Sequence, residues 1–368
     1  MTDFRNRIDE QIVRWVKPEI RSLGAYQVPD STGMVKLDAM ENPFIWPESM
    51  HKKWAELMSS AHVNRYPHPD APELKEGIRR VYDIPEGVDI LLGNGSDELI
   101  QLIAMAVNGT KRKIMAPEPS FVMYEMVARF IGMEYVGVPL AEDFNLDLEK
   151  MLRQIEVENP AVVFLAQPNN PTGNLWGDEK LRRILEATSG LVVIDEAYTA
   201  FTDADYLSWL EDYPNLLIMR TFSKVGLAGL RLGVLFGQSA WIEEINKLRL
   251  PYNINSLTQM TAVFALENFE ILQNQTAELV RQRKRLSEQL NAFPALKVYP
   301  SEANFLLVKT ESGQAPAIHE YLKQNVILIK KLDGGHPMLT DCLRINVSSS
   351  EENALLIEAL TRYFDYSR

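Results

Sequence analysis

Arg220-Thr-Phe-Ser-Lys-Val-Gly-Leu-Ala-Gly-Leu-Arg-Leu-Gly233 follows an apolar run ending at Met219 and leads into another, Leu232 to Phe236. A strand, a glycine-rich turn and a second strand are the unit this pattern predicts. Inside the turn, Lys224 stands beside Ser223, with Arg231 seven residues further on. A lysine at a strand end, kept from water, can lose its proton and attack a carbonyl carbon, and an arginine beside a glycine-rich turn suits a phosphate. The same residues also read as a solvated loop, since most lysines lie at the surface. The flanking segments decide between the two.

Outward from this turn, short apolar runs alternate with amphipathic stretches. Strands are predicted at Asp89 to Leu92, Lys113 to Met115, Tyr135 to Val138, Ala161 to Leu165, Leu191 to Ile194, Leu216 to Met219 and Leu232 to Phe236. Helices are predicted at Asp97 to Ala106, Phe121 to Phe130, Leu148 to Val157 and Asp178 to Ala187. Such alternation specifies an α/β fold with a mainly parallel sheet covered on both faces, and its ligands gather at the carboxyl ends of the strands. Residues 240–292 read as helix, broken near Pro251-Tyr252-Asn253, and beyond Phe293-Pro294 a smaller alternation suits a compact α+β unit. Ahead of the sheet, a helix over 4–21 bends at Pro18, and residues 24–47 read as an irregular arm with a short strand at Met34 to Leu37. The expected organisation is an arm with part of a small domain over 1–47, a large domain over 48–275 and a small C-terminal domain over 276–368.

The 368 residues suffice for two domains, and 46% hydrophobic with 24% charged residues is an ordinary globular composition. The formal net charge of -12 argues against a general binder of nucleic acid or anionic membrane, whose affinity needs excess Lys and Arg. Cys342 is the sole cysteine and the five histidines are scattered, so neither a disulfide framework nor a metal site is expected. With no signal-peptide pattern, and no run near the roughly eighteen apolar residues of a membrane span, a cytoplasmic protein is expected.

Several loops after predicted strands could carry chemistry. Gly93-Asn-Gly-Ser-Asp-Glu98 joins a strand to a helix; it is either an anion cradle of backbone N–H groups or a turn capped by Ser96 or Asp97. Gln167-Pro-Asn-Asn-Pro-Thr-Gly-Asn174 holds more turn formers than a plain turn needs, and a rigid loop presenting the Asn170 amide is the better reading. Asp195 ends a central apolar strand, with Tyr198 just beyond; a buried carboxylate there can keep a ring nitrogen protonated, bind Mg2+ or cap a helix. Arg344 lies inside the apolar run Cys342-Leu-Arg-Ile-Asn-Val347. Such a residue ordinarily faces solvent from an edge strand, whereas facing a cleft it would bind an anion bidentately.

Taken together, these motifs resemble the fold type I, pyridoxal-phosphate-dependent aminotransferases. The finer resemblance is to the histidinol-phosphate aminotransferase family, through Lys36-Leu-Asp-Ala-Met-Glu-Asn-Pro-Phe44, Arg65-Tyr-Pro67, Glu118-Pro-Ser-Phe-Val-Met-Tyr124, Pro251-Tyr-Asn-Ile-Asn-Ser256 and Ala303-Asn-Phe305. The resemblance implies pyridoxal 5'-phosphate as cofactor, with Lys224 as its Schiff-base lysine and Asp195 as partner of the pyridine nitrogen. It implies Tyr198 and Asn170 at the ring hydroxyl and Phe121 on the ring face. Ser96, Asp97, Ser223 and Arg231 would hold the cofactor phosphate, joined by Tyr66 from the other subunit of a homodimer. Histidinol phosphate carries its phosphate-bearing carbon where glutamate has a carboxylate, so Arg344 can anchor both donors in turn. Tyr26 and Lys330 would lie near the substrate phosphate. Two departures stand out: the Lys224 to Arg231 spacing is one residue shorter than in many fold type I enzymes, and Lys330-Lys331 replaces an arginine. The implied reaction exchanges an amino group between histidinol phosphate and 2-oxoglutarate in histidine biosynthesis. An aromatic or broad-specificity aminotransferase, or a decarboxylase of a phosphorylated amino acid, is the alternative on the same scaffold. A cofactor-holding binding protein and a nucleotide-binding α/β protein are the readings outside it.

Overall fold

Apolar runs rich in Val, Ile and Leu, bounded by turn residues, form the strands β1 (Val35–Leu37), β2 (Val88–Asn94), β3 (Lys113–Glu118), β4 (Glu134–Pro139), β5 (Val162–Ala166), β6 (Leu191–Asp195), β7 (Leu216–Thr221), β8 (Leu232–Gln238), β9 (Leu296–Val298), β10 (Phe305–Thr310), β11 (Ile327–Lys331) and β12 (Cys342–Asn346). The computed structural model describes residues 2–25 and 28–366. Among the described residues the strands make two sheets, one in the order β2-β8-β7-β6-β5-β3-β4 and one in the order β1-β11-β12-β10-β9.

In the larger sheet the β4–β3, β3–β5, β5–β6 and β6–β7 pairs are parallel, and β8 runs antiparallel to both of its neighbours. Every residue of β5 and β6 is buried, as helices on both faces of a parallel sheet require. The register Ala166↔Asp195 and Asp195↔Met219 brings the carboxyl ends of β5, β6 and β7 level. The loops that follow these three strands therefore meet. In the smaller sheet β12 is the middle strand, and β1 pairs parallel with β11, Val35 opposite Ile327. The helix Phe269–Asn291 joins the two cores, since Leu272 packs into the core of the larger sheet and Leu279, Leu286 and Leu290 into that of the smaller.

Three local features differ from or add to the sequence reading. The helix after β2 begins at Ser96, capped by neither Ser96 nor Asp97: Gly95 holds the cap position, and Glu98 accepts the Asn94 amide at 2.6 Å. The following helix starts at Met123, which leaves Phe121 on the loop before it. The helix Pro72–Val81 is an element for which the sequence reading offers no expectation, although Pro72 in its first turn and the buried face of Leu74, Gly77 and Ile78 are ordinary helix signals. Among the described residues no helix is long and apolar enough to cross a membrane.

Candidate active site

Asp195 sits at the end of the central strand β6, only 4% exposed. Tyr124 Oη donates to its Oδ2 at 2.8 Å and the Ala197 amide to its Oδ1 at 3.1 Å. Both donors are neutral, and burial pushes the carboxyl up to about 6 in spite of them. A buried carboxylate so placed is suited to a cationic N–H brought by a ligand.

Beyond β5, Asn170 is 6% exposed and bonded on both sides. Its Nδ2 donates to Tyr198 Oη at 3.2 Å, and its Oδ1 accepts from Arg344 Nη1 at 2.7 Å. Arg344 Nη2 donates to the Asp38 carbonyl at 2.8 Å. Arg344 therefore does not face solvent from an edge: it projects from the middle strand of the smaller sheet, buried, and reaches the loop of the larger one. Burial raises the Tyr198 hydroxyl well above its ordinary range, so Tyr198 stays a neutral donor and acceptor.

Past β7, Ser223–Leu227 forms one wide helical turn of the i→i+5 type, a form frequent at functional sites. Lys224 projects from it and donates from Nζ to the Ala39 carbonyl at 3.2 Å. Burial, then the Arg344 charge, lowers the amine from 10.5 to about 8. Near neutral pH a usable fraction is thus the unprotonated nucleophile.

The candidate anion cradle meets the same cavity through Ser96, Asp97 and Arg231. Gly95 has φ +78, and a Cβ there would stand 2.6 Å from Arg231 Nη2, so glycine is required both by the backbone and by the arginine. The helix Ser96–Val107 starts at this point, its first amides directed out of the helix end. Arg231 reaches the cradle despite the short connection, by way of a tight turn at Ala228–Leu230 and its own left-handed backbone, φ 49. Its Nη2 stands 3.3 Å from Asp97 Oδ2, and its Nη1 donates to Ser223 Oγ at 3.5 Å.

One cavity of about 530 Å³, its open mouth included, is lined by Ser96, Asp97, Phe121, Asn170, Asp195, Tyr198, Ser223, Lys224 and Arg231. Arg344 touches the cavity's lining through Asn170, and neither it nor Lys330, its register partner on the same sheet face, is among the residues lining the cavity. Tyr66 is 80% exposed and stacks on Tyr252, ring centroids 4.4 Å apart, outside the cavity of its own chain. Tyr26 lies outside the described residues. Sequence reasoning passed over Tyr124, Thr221 and Met40. Thr221, whose Oγ1 bonds Ser223 Oγ at 3.0 Å, had a signal in its place two residues before Ser223 at a strand end. Tyr124, inside a helix, had none.

The family described as aminotransferase class I and II matches residues 32–360. The chain is 49% identical over 351 residues to histidinol-phosphate aminotransferase 2 of Nitrosococcus oceani, covering 95% of this chain and 98% of that one. It is 48% identical to the histidinol-phosphate aminotransferase of Chromobacterium violaceum, over 95% and 98% of the two chains. Among solved structures, the histidinol-phosphate aminotransferase of Sinorhizobium meliloti in complex with pyridoxal-5'-phosphate superposes with a TM-score of 0.86 at 26% identity, covering 96% of this chain and 98% of that one.

Proposed function

This chain belongs to the class I and II aminotransferases, and from that membership we propose that it moves an amino group between histidinol phosphate and 2-oxoglutarate, a step of histidine biosynthesis. The observation that carries the reading is one cavity holding an amine lowered to about 8, a buried carboxylate whose two donors are neutral, and an arginine-lined glycine cradle. That donor set fits pyridoxal 5'-phosphate, the cofactor of this family. When bound, the cofactor supplies an electron sink for the carbanion formed at the substrate α-carbon and carries the amino group between the two half-reactions.

We assign the roles of the chain's own residues from the family resemblance, which their grouping around the cavity supports for those that line it. Lys224 would hold the cofactor through Nζ, and as a free amine the same Nζ would take the substrate α-proton and return a proton. Asp195, held by Tyr124 and the Ala197 amide, keeps the ring nitrogen protonated. Asn170 and Tyr198 would bond the ring hydroxyl, and Phe121 would pack on the ring. The Ser96 and Asp97 amides, Ser223 and Arg231 take the phosphate. Arg344, whose two Nη atoms are held by Asn170 Oδ1 and the Asp38 carbonyl, would supply the positive charge for the anionic group on the substrate, and Lys330, on the same sheet face, would add charge near the substrate phosphate, where Tyr26 is also assigned. The enzyme works as a cytoplasmic homodimer in which Tyr66 of a second copy completes the phosphate site; its exposure in a single chain supports this.

The test is the ratio of kcat/KM for histidinol phosphate to that for phenylalanine, each with 2-oxoglutarate. We expect a preference of about 100-fold or more for histidinol phosphate, the scale at which a site built to bind a charged group rejects an analogue lacking it. Equal or better turnover of phenylalanine would move the substrate to the aromatic class and leave the transamination chemistry in place.

A further inference from the structure

Residues 38–42 follow β1 and run along the cavity, which Met40 lines. Three consecutive carbonyls of this strap are taken by side chains. Asp38 O accepts from Arg344 Nη2 at 2.8 Å, Ala39 O from Lys224 Nζ at 3.2 Å, and Met40 O from Asn304 Nδ2 at 3.0 Å. Met40 has φ 54, a backbone conformation that side-chain-bearing residues seldom adopt, so the strap's path is imposed by its contacts.

Asn42 closes the strap on the turn that carries Lys224. Its Nδ2 donates to Val225 O at 3.1 Å and to Gln275 Oε1 at 3.0 Å, while its Oδ1 accepts from the Phe44 amide at 2.9 Å. With both N–H groups and the carbonyl engaged, the amide has one orientation. Val225 directly follows Lys224, and Gly226 comes next with φ +120, where a Cβ would stand 3.0 Å from Asn42 Nδ2. The wide turn is thus pinned from outside at the residue beside the amine. Asn42 and Gln275 are only half-buried, so this contact is not part of the apolar core.

We propose that Asn42 is a positioning residue for Lys224: by gripping the Val225 carbonyl it fixes where Nζ stands between the Ala39 carbonyl and the cavity. The inference rests on the reading of Lys224 as the reacting amine. The groups that face Nζ are Arg344 of β12, Arg231 at the end of the same connection, Glu41 of the strap, Asp97 of the helix Ser96–Val107, and Tyr198, whose ring centroid is 6.0 Å away. Asp195 lines the same cavity. Burial, followed by Arg344, holds the amine down, so a turn that loosens and lets water in would bring Lys224 back towards the ordinary lysine range.

The experiment follows reductive methylation of Lys224 by formaldehyde and a borohydride reagent against pH, in the cofactor-free full-length protein, read by peptide mass. We expect a half-point near 8 for the wild type and one higher by about one pH unit for Asn42→Ala. In the loaded enzyme Asn42→Ala should lower kcat about tenfold, with the KM for the amino donor changed by less than about twofold, as for a misplaced reacting group. An unchanged half-point overturns the proposal whatever happens to kcat. Gln275→Leu, which removes the acceptor that orients Asn42, should raise the half-point in the same direction; if Asn42→Ala fails to fold, an unchanged half-point in Gln275→Leu overturns the proposal instead. Mapping of the borohydride-reduced cofactor in the wild type to a lysine other than Lys224 would sink the functional reading itself, a result distinct from either of these.

Discussion

At Arg344, replacement by lysine keeps the charge and removes the planar fork that now spans Asn170 Oδ1 and the Asp38 carbonyl. With a charge-assisted hydrogen bond contributing about 1.5–3 kcal/mol, Arg344→Lys should lower kcat/KM for histidinol phosphate and for glutamate by about 10- to 100-fold, measurable by steady-state kinetics. Asp195 makes a different kind of prediction, in the cofactor-free protein. Its carboxyl is raised from 3.8 to about 6, chiefly by burial, so between those values the folded chain retains a proton that the unfolded chain has lost. Stability therefore falls as pH rises through that window, by about 3 kcal/mol at ~1.4 kcal/mol per pH unit. Asp195→Asn should reduce the fall by about that amount, leaving the smaller contribution of Glu196, whose carboxyl burial also raises, as seen in urea unfolding at pH 4 and pH 7, while cofactor binding weakens. Asp195 was legible in the sequence because a carboxylate ending an apolar strand stands out. Tyr124, which bonds it, was not, because a tyrosine on a helix reads as packing until the helix is set against β6. From its own run Arg344 was legible as an anomaly only, and the family resemblance alone turned it towards the cleft; its direction depended on β12 being the middle strand, which the apolar run does not reveal.

The cradle is an element-scale device, built from the turn between β2 and the helix Ser96–Val107 together with the connection that ends at Arg231. Gly95→Ala adds a Cβ where φ is +78 and Arg231 Nη2 is 2.6 Å away. The strain and the displaced guanidinium should weaken cofactor binding about tenfold or more, with the fold intact, as followed by fluorescence titration. Strands and helices of the larger sheet were readable in the sequence because β5 and β6 are buried on both faces and read as unbroken apolar runs. Cap chemistry was not: Ser96 and Asp97 match the residue types of a cap, yet Gly95 with its positive φ takes the position, and a backbone angle leaves no separate mark in the sequence. The strap over 38–42 was hidden for a related reason. Its function lies in three carbonyl oxygens, and every residue has one.

At the scale of the whole molecule, the two sheets supply different halves of the site. The larger provides Asp195, Asn170 and Lys224 from three adjacent strand ends, while the smaller provides Arg344 and, through β1, the strap. Tyr66, exposed on the single chain beside Tyr252, belongs in this account to the site of a second copy. The protein should sediment at twice the mass of its chain, and Tyr66→Phe should weaken cofactor binding severalfold without dissociating that dimer, as expected for the loss of one hydrogen bond to a phosphate. The central claim is that this chain takes the amino group of histidinol phosphate through a Lys224-linked cofactor. It is tested most directly by the absorbance spectrum of the cofactor-loaded protein before and after adding histidinol phosphate, and again after 2-oxoglutarate. The account predicts that the visible band is lost on the first addition and returns on the second. A band indifferent to histidinol phosphate, or one that responds only to aromatic amino acids, would contradict it.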